Sequence, residues 1–206
     1  MEKNTSCPSL FRTPFTPAYW RCAAAELKKP RSLVIGALFM ALSMAISSYF
    51  IPIGDLSLRI YFTFFVKATG CMIYGPVVAM ISGGVGDLLG YFLHPVGGFF
   101  PGYTLTSILS GLFYGVFFYR ARLSVLRIFL CKLSINALIN VGLGSLWNVI
   151  IYHKGYYFYL AKSVVKNSML LPFEVLFLVL FVQAMLPILL RMKLIPQDTP
   201  QRITLV

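Results

Sequence analysis

A chain of 206 residues that is 58% hydrophobic and 12% charged, with a mean hydropathy of +0.79, has too little polar surface for a soluble globule. Its formal charge of +12 would suit nucleic acid if it formed one patch, but the cations fall in short clusters between apolar runs. That pattern is topological and predicts a polytopic, all-α membrane protein.

Residues 1–31 are interrupted by Pro8, Pro14, Pro17 and Pro30 and contain no continuous apolar core, so they are not a signal peptide. Phe11, Phe15, Tyr19 and Trp20 beside Arg12 and Arg21 suit an interfacial, cytoplasmic tail at the headgroups, with a specific docking motif as the alternative. Residues 32–193 carry six apolar segments, at 32–50, 59–74, 76–92, 103–119, 123–152 and 163–190. About 20 residues cross the hydrocarbon core, and the last two segments exceed that and are expected to tilt or protrude. The Gly75-Pro76 break turns the second and third segments into a tight hairpin, and residues 194–206 form a cytoplasmic tail.

Orientation follows from Lys and Arg. Lys28, Lys29 and Arg31, then Arg120, Arg122 and Arg127, then Arg191 and Lys193 all fall on one side of a six-span topology, which is cytoplasmic by the positive-inside rule. The glycine-rich loop from His94-Pro95 through Gly97, Gly98 and Phe100 to Pro101-Gly102 is then external. Lipid tolerates irregular backbone only where protein buries it or it lines a cavity, so this loop is read as the gating lid of a small-molecule pocket.

Small residues repeat every fourth position at Ala37, Ala41 and Ala45 on the first segment, and at Ser107, Gly111 and Gly115 on the fourth. Such faces pack helices closely within a chain, and on a peripheral first helix they equally suit docking against another subunit. Ionisable groups inside spans cost about 2.5–3.5 kcal/mol at a helix centre. Lys67 and Asp87 are therefore expected to form an ion pair across the Gly75-Pro76 turn, whereas Glu174 has no evident partner. Arg59 and the pair Lys166-Asn167 either snorkel to the interface or bind an anion. Trp147-Asn148 with Ser145 reads more simply as belt aromatic and packing than as ligand contact.

Catalytic machinery is not evident. The chain has no GxxxxGK[ST], HExxH or GxSxG motif, and His94 and His153 have no nucleophile beside them. Cys7, Cys22, Cys71 and Cys131 show no metal-ligand spacing, so neither a disulfide framework nor a metal site is expected. The protein is not expected to be an enzyme, and uphill transport would draw on a partner or an ion gradient.

Taken in order, Leu58-Arg59-Ile60 opening a short second helix, Gly75-Pro76-Val77-Val78, Gly86-Asp87-Leu88-Leu89-Gly90-Tyr91, Gly97-Gly98, Phe100-Pro101-Gly102, Thr104-Leu105, Ser110-Gly111-Leu112 and Tyr114-Gly115 carry a resemblance. Leu146-Trp147, Lys166-Asn167 and Leu171-Pro172 continue it. The chain from Leu33 to Leu190 resembles the folate-family substrate-binding (S) components of energy-coupling factor vitamin transporters. Departures fall at Gly144-Ser145, where such proteins often carry Asn-Thr before the Leu-Trp pair, and at Ser163, where a basic residue is common.

The resemblance implies a six-helix protein of a bacterial cytoplasmic membrane that binds folate from outside. It also implies association with a transmembrane coupling subunit and two ATPases, so that ATP is used by partners and the chain itself carries no cofactor. Ala37, Ala41 and Ala45 become the docking row. For a flat, anionic pterin, aromatic faces are offered by Tyr61, Phe62, Tyr103 and Trp147, and polar partners by Thr104, Ser107, Asn148 and Asn167. Arg59 and Lys166, with Lys162 nearby, offer cations for its glutamate end. The alternatives are an autonomous ion-coupled carrier of a small aromatic anion using Asp87 and Glu174, an S component for another vitamin, and an assembly factor that binds no small molecule.

Overall fold

The computed structural model describes residues 10–11, 16–47, 50–53, 58–93, 98–152, 155–200 and 202–204. A short helix α1 (Pro17–Ala25) and a single 3-10 turn lead into α2 (Pro30–Ser47), followed by the antiparallel strands β1 (Phe50–Ile53) and β2 (Leu58–Tyr61). Then come α3 (Thr63–Leu93), α4 (Pro101–Phe118), α5 (Val125–Ser134), a π-helical stretch (Ile135–Leu143), α6 (Gly144–Tyr152) and α7 (Tyr156–Arg191).

Four helical stretches are long and apolar enough to cross a membrane: Pro30–Ser47, Thr63–Leu93, Val125–Ile151 and Tyr159–Arg191. The second of these is two segments. Gly75 has φ 76° and ψ 179°, a conformation that glycine adopts without a Cβ penalty, and the following Pro76 has no N–H to continue the helix. The chain doubles back there, so that Val66, Lys67, Cys71 and Tyr74 share one small cavity with Ala79, Ser82 and Gly83. With α4, the expected six-segment bundle is complete.

The hairpin is an addition to the all-helical expectation. Residues 58–61, read as the opening of the second helix, pair instead with β1 in the register Phe50↔Tyr61 to Ile53↔Leu58. Short runs rich in Ile, Phe and Tyr satisfy either period, and pairing with a neighbour decides between them. Helix 63–74 then rises only about 18 Å, short of the roughly 30 Å hydrocarbon thickness. Its outer end at Thr63 stops inside the bundle.

The core is built where α3 and α4 cross. A Cβ at Gly111 would stand 2.5 Å from the Ala79 carbonyl oxygen, one at Gly83 would stand 2.7 Å from that of Ser107, and one at Gly115 would run into Pro76. The glycine rows therefore serve contact within the chain. Gly111→Ala is expected to cost about 1–3 kcal/mol, the usual penalty of overpacking, read as a lower unfolding midpoint in detergent.

The N-terminal segment does more than rest at the headgroups. Tyr19, Cys22 and Ala23 are buried, and Tyr19 donates a 2.9 Å hydrogen bond to the Gly115 carbonyl while its ring meets Tyr119 edge-on at 5.7 Å. Burial raises the Tyr19 hydroxyl well above its ordinary range, which keeps it protonated as that donor. Cys71 and Cys131 are buried free thiols. α1, the Gly75 turn, the 119–124 connection and the chain after α7 gather at the cytoplasmic end, tied by Phe11 N–H to the Arg120 carbonyl and Val125 N–H to that of Thr204.

Candidate substrate-binding cavity

Above the outer end of helix 63–74 the bundle is hollow. Two cavities, of about 780 and 600 Å³, share Thr63, Lys67 and Tyr103 as a common wall. The first lies between α2, the third and the fourth segments, with Met40, Met44, Asp87, Tyr91, Phe99 and Ser107 among its lining. The second lies between the fourth, fifth and sixth, with Ser110, Asn140, Trp147, Asn148, Lys166 and Asn167. Each falls in the size range of small-molecule sites.

An aromatic group closes the top. Phe100, at the start of α4, meets Trp147 at 5.4 Å and Tyr103 at 5.7 Å, both near edge-on. Trp147 donates its indole N–H to Thr106 Oγ1 at 3.0 Å. Gly102 makes this possible, because a Cβ there would stand 2.8 Å from Trp147 Cδ2. Of the expected lid, Gly98, Phe99 and Phe100 line the first lobe, and His94, Pro95 and Gly97 lie outside the described residues.

The acidic and basic residues are arranged differently from the sequence expectation. Lys67 and Asp87 face the same lobe without an ion pair: Asp87 accepts from Thr104 Oγ1 at 2.7 Å and Ser107 Oγ at 3.4 Å, while Lys67 Nζ donates to Ser110 Oγ at 3.4 Å. Hydroxyls from α4 sit closer to the carboxylate and take its lone pairs. Among the described residues, no carboxylate lies within 4.0 Å of Lys67. Glu174, for which the sequence offered no partner, accepts from Lys132 Nζ at 3.0 Å and from Asn136 Nδ2 at 3.3 Å. Asn140 Nδ2 donates on to Asn136 Oδ1 at 2.8 Å, making a polar ladder up the wall of the second lobe.

The ladder rests on the π-helical stretch. Its wider turns place Ile135, Ile139 and Asn140 on the cavity side, an arrangement that recurs at functional sites. Lys132, Asn136 and Asn140 escaped the sequence reading, although their spacing of four in an apolar run marks one polar helix face.

Of the other candidates, Tyr103, Ser107, Trp147, Asn148, Lys166 and Asn167 line one lobe or both. Asn148 and Asn167 also bond within their own helices, to the Gly144 and Ser163 carbonyls, each at 2.8 Å. Thr104 turns to Asp87, and Phe62 stacks on Phe65 at 5.9 Å. Arg59 and Tyr61 lie on β2, and their side chains are outside the description.

Comparison with known proteins places the architecture. Residues 28–193 match the family model described as the ECF-type riboflavin transporter, S component. This chain belongs to that S-component family. The curated relatives of this S component include a folate transporter FolT from Clostridium novyi, 32% identical over 71% of this chain and 84% of the relative. Another, from Leuconostoc mesenteroides, is 28% identical over 70% and 80%. A crystal structure of FolT bound with folic acid superimposes with a TM-score of 0.63 at 29% identity, covering 71% of this chain and 88% of that one. The S component is therefore a multi-pass cell-membrane transport protein and not an enzyme.

Proposed function

We propose that this S component captures folate or a related pterin from outside in the two-lobed cavity and passes it on through a transmembrane coupling subunit driven by separate ATPases. The family model is described by riboflavin and the relatives by folate, and charge supports the second. Riboflavin is neutral, whereas the two lobes are lined by Lys67, Lys132, Lys162 and Lys166 against Asp87 and Glu174 among the described residues, and no described carboxylate lies within 4.0 Å of Lys67. A cavity lined by more cations than carboxylates suits a ligand that brings a carboxylate of its own. That observation carries the reading. A ligand that binds only the native state raises its apparent stability, so folate is expected to raise the unfolding temperature of the solubilised chain while riboflavin leaves it unchanged. A rise with riboflavin alone contradicts the assignment.

The docking half of the proposal rests on α2. Only Ser32 and Gly36 of that helix are buried; Ala37, Ala41 and Ala45 are exposed. Gly36 packs toward Val78 and leaves Ala37 and Ala41 exposed, where small side chains let another helix approach closely, while Ala45 also lines the first lobe. Ala41→Trp is expected to abolish assembly with the coupling subunit on co-purification while folate binding is retained. Intact assembly removes the row from the interface.

A further inference from the structure

A third cavity, of about 350 Å³, opens at the opposite, cytoplasmic end and touches neither binding lobe. Lys29, Arg31, Arg120 and Lys193 line it, against Glu26 as the single carboxylate among the described lining residues. Glu26 is buried and already engaged: it accepts from Lys29 Nζ at 2.8 Å, Ser32 Oγ at 2.7 Å and Tyr119 Oη at 3.2 Å, with Arg120 Nη2 at 3.7 Å. Its one charge cannot balance four cations. Arg31 reaches a neutral partner, the Met192 carbonyl at 3.5 Å, and Lys193 sits exposed beyond it.

The walls are of two kinds. Beside the cations, Ile35, Met72 and Ile195 make an apolar side. Arg120 and Lys193, with φ of 46° and 52°, are the two described non-glycine residues in the left-handed region, and both line this cavity. Such backbone persists where the surroundings hold it in place. The cavity lies where α2 begins and where α4 and α7 end, on the side that gathers the Lys and Arg clusters.

We propose that this cavity binds the phosphate of an anionic phospholipid of the cytoplasmic leaflet, held by Arg31 and Lys193. A basic pocket with an apolar wall at the cation-rich helix ends matches both halves of such a lipid, and a soluble phosphate would use only the first. Glu26 and the wall from Leu194 to Pro196 lie outside the matched residues 28–193, so the site is built partly by this chain's own flanks.

Native mass spectrometry of the full chain in micelles doped with phosphatidylglycerol or phosphatidylcholine tests this. The expected result is retention of phosphatidylglycerol over phosphatidylcholine by roughly tenfold or more, on the scale of one surface cation's worth of attraction or above. R31Q/K193Q is expected to abolish that preference, and K28Q/R122Q, with the same loss of charge at exposed residues outside the cavity, to keep it. Equal retention of both lipids by the native chain, or equal loss in the two double variants, overturns the proposal. Displacement of phosphatidylglycerol by inorganic phosphate also overturns it, because a soluble anion would then suffice.

Discussion

Lys67→Met is expected to weaken folate retention roughly tenfold to a hundredfold, with little change in the stability of the unliganded chain, because a hydrogen bond to a charged group is worth about 1.5–3 kcal/mol. Lys67 is half-buried on the wall common to both lobes, and its ammonium donates to the Ser110 hydroxyl at 3.4 Å. In the empty cavity, water can hydrate the ammonium. An entering ligand displaces that water and must replace its hydrogen bonds, which a carboxylate does and an apolar group does not. Methionine has similar length and removes the charge. Equilibrium binding and thermal unfolding of the same preparation separate the outcomes: a loss of binding alone supports a ligand-facing role, and a matching loss of stability assigns Lys67 to the scaffold.

Glu174→Leu is expected to have the largest effect on the fold, about 3–5 kcal/mol, because it strands a buried cation. Lys132 is 3% exposed, bound to Glu174 at 3.0 Å, with its ammonium 4.4 Å from the centre of the Phe64 ring. Without the carboxylate, Lys132 keeps that aromatic face and a hydrophobic core cluster that includes Phe64 and Cys131. K132M/E174L removes both charges and is expected to recover most of the loss, since apolar replacement of a whole buried pair is often neutral. Denaturant or heat unfolding of the two variants checks this. A double variant as unstable as the single one places the cost elsewhere, in the Asn136 and Asn140 ladder.

The two variants show what the sequence could and could not disclose. The Gly75-Pro76 turn was legible because both residues act locally, one by allowing positive φ and the other by lacking a donor. The sharing of one side by three helix ends was legible too, since the Lys and Arg clusters before α2, after α4 and after α7 meet around one cavity. The Lys132–Glu174 pair joins residues 42 positions apart, and that distance carries no periodic signal. The Lys67–Asp87 expectation failed for a related reason: the turn does bring both residues to one lobe, but Thr104 and Ser107 from a third segment reach Asp87. Docking of α1 depends on Tyr19 meeting Gly115 and Tyr119, about a hundred residues away, so its aromatic residues alone read as a membrane-surface tail. Aromatic residues near the external side were identified by type, while their mutual closure over the cavity required Gly102 to admit Trp147.

On the proposed function, the two-lobed cavity holds an organic anion without help from ATP. Equilibrium dialysis of the purified, detergent-solubilised chain against labelled folic acid, with unlabelled riboflavin as challenger, measures this most directly. One folic acid retained per chain without nucleotide, undisturbed by riboflavin in excess, is the predicted result. Displacement by riboflavin, or a chain that retains no folic acid, would contradict it.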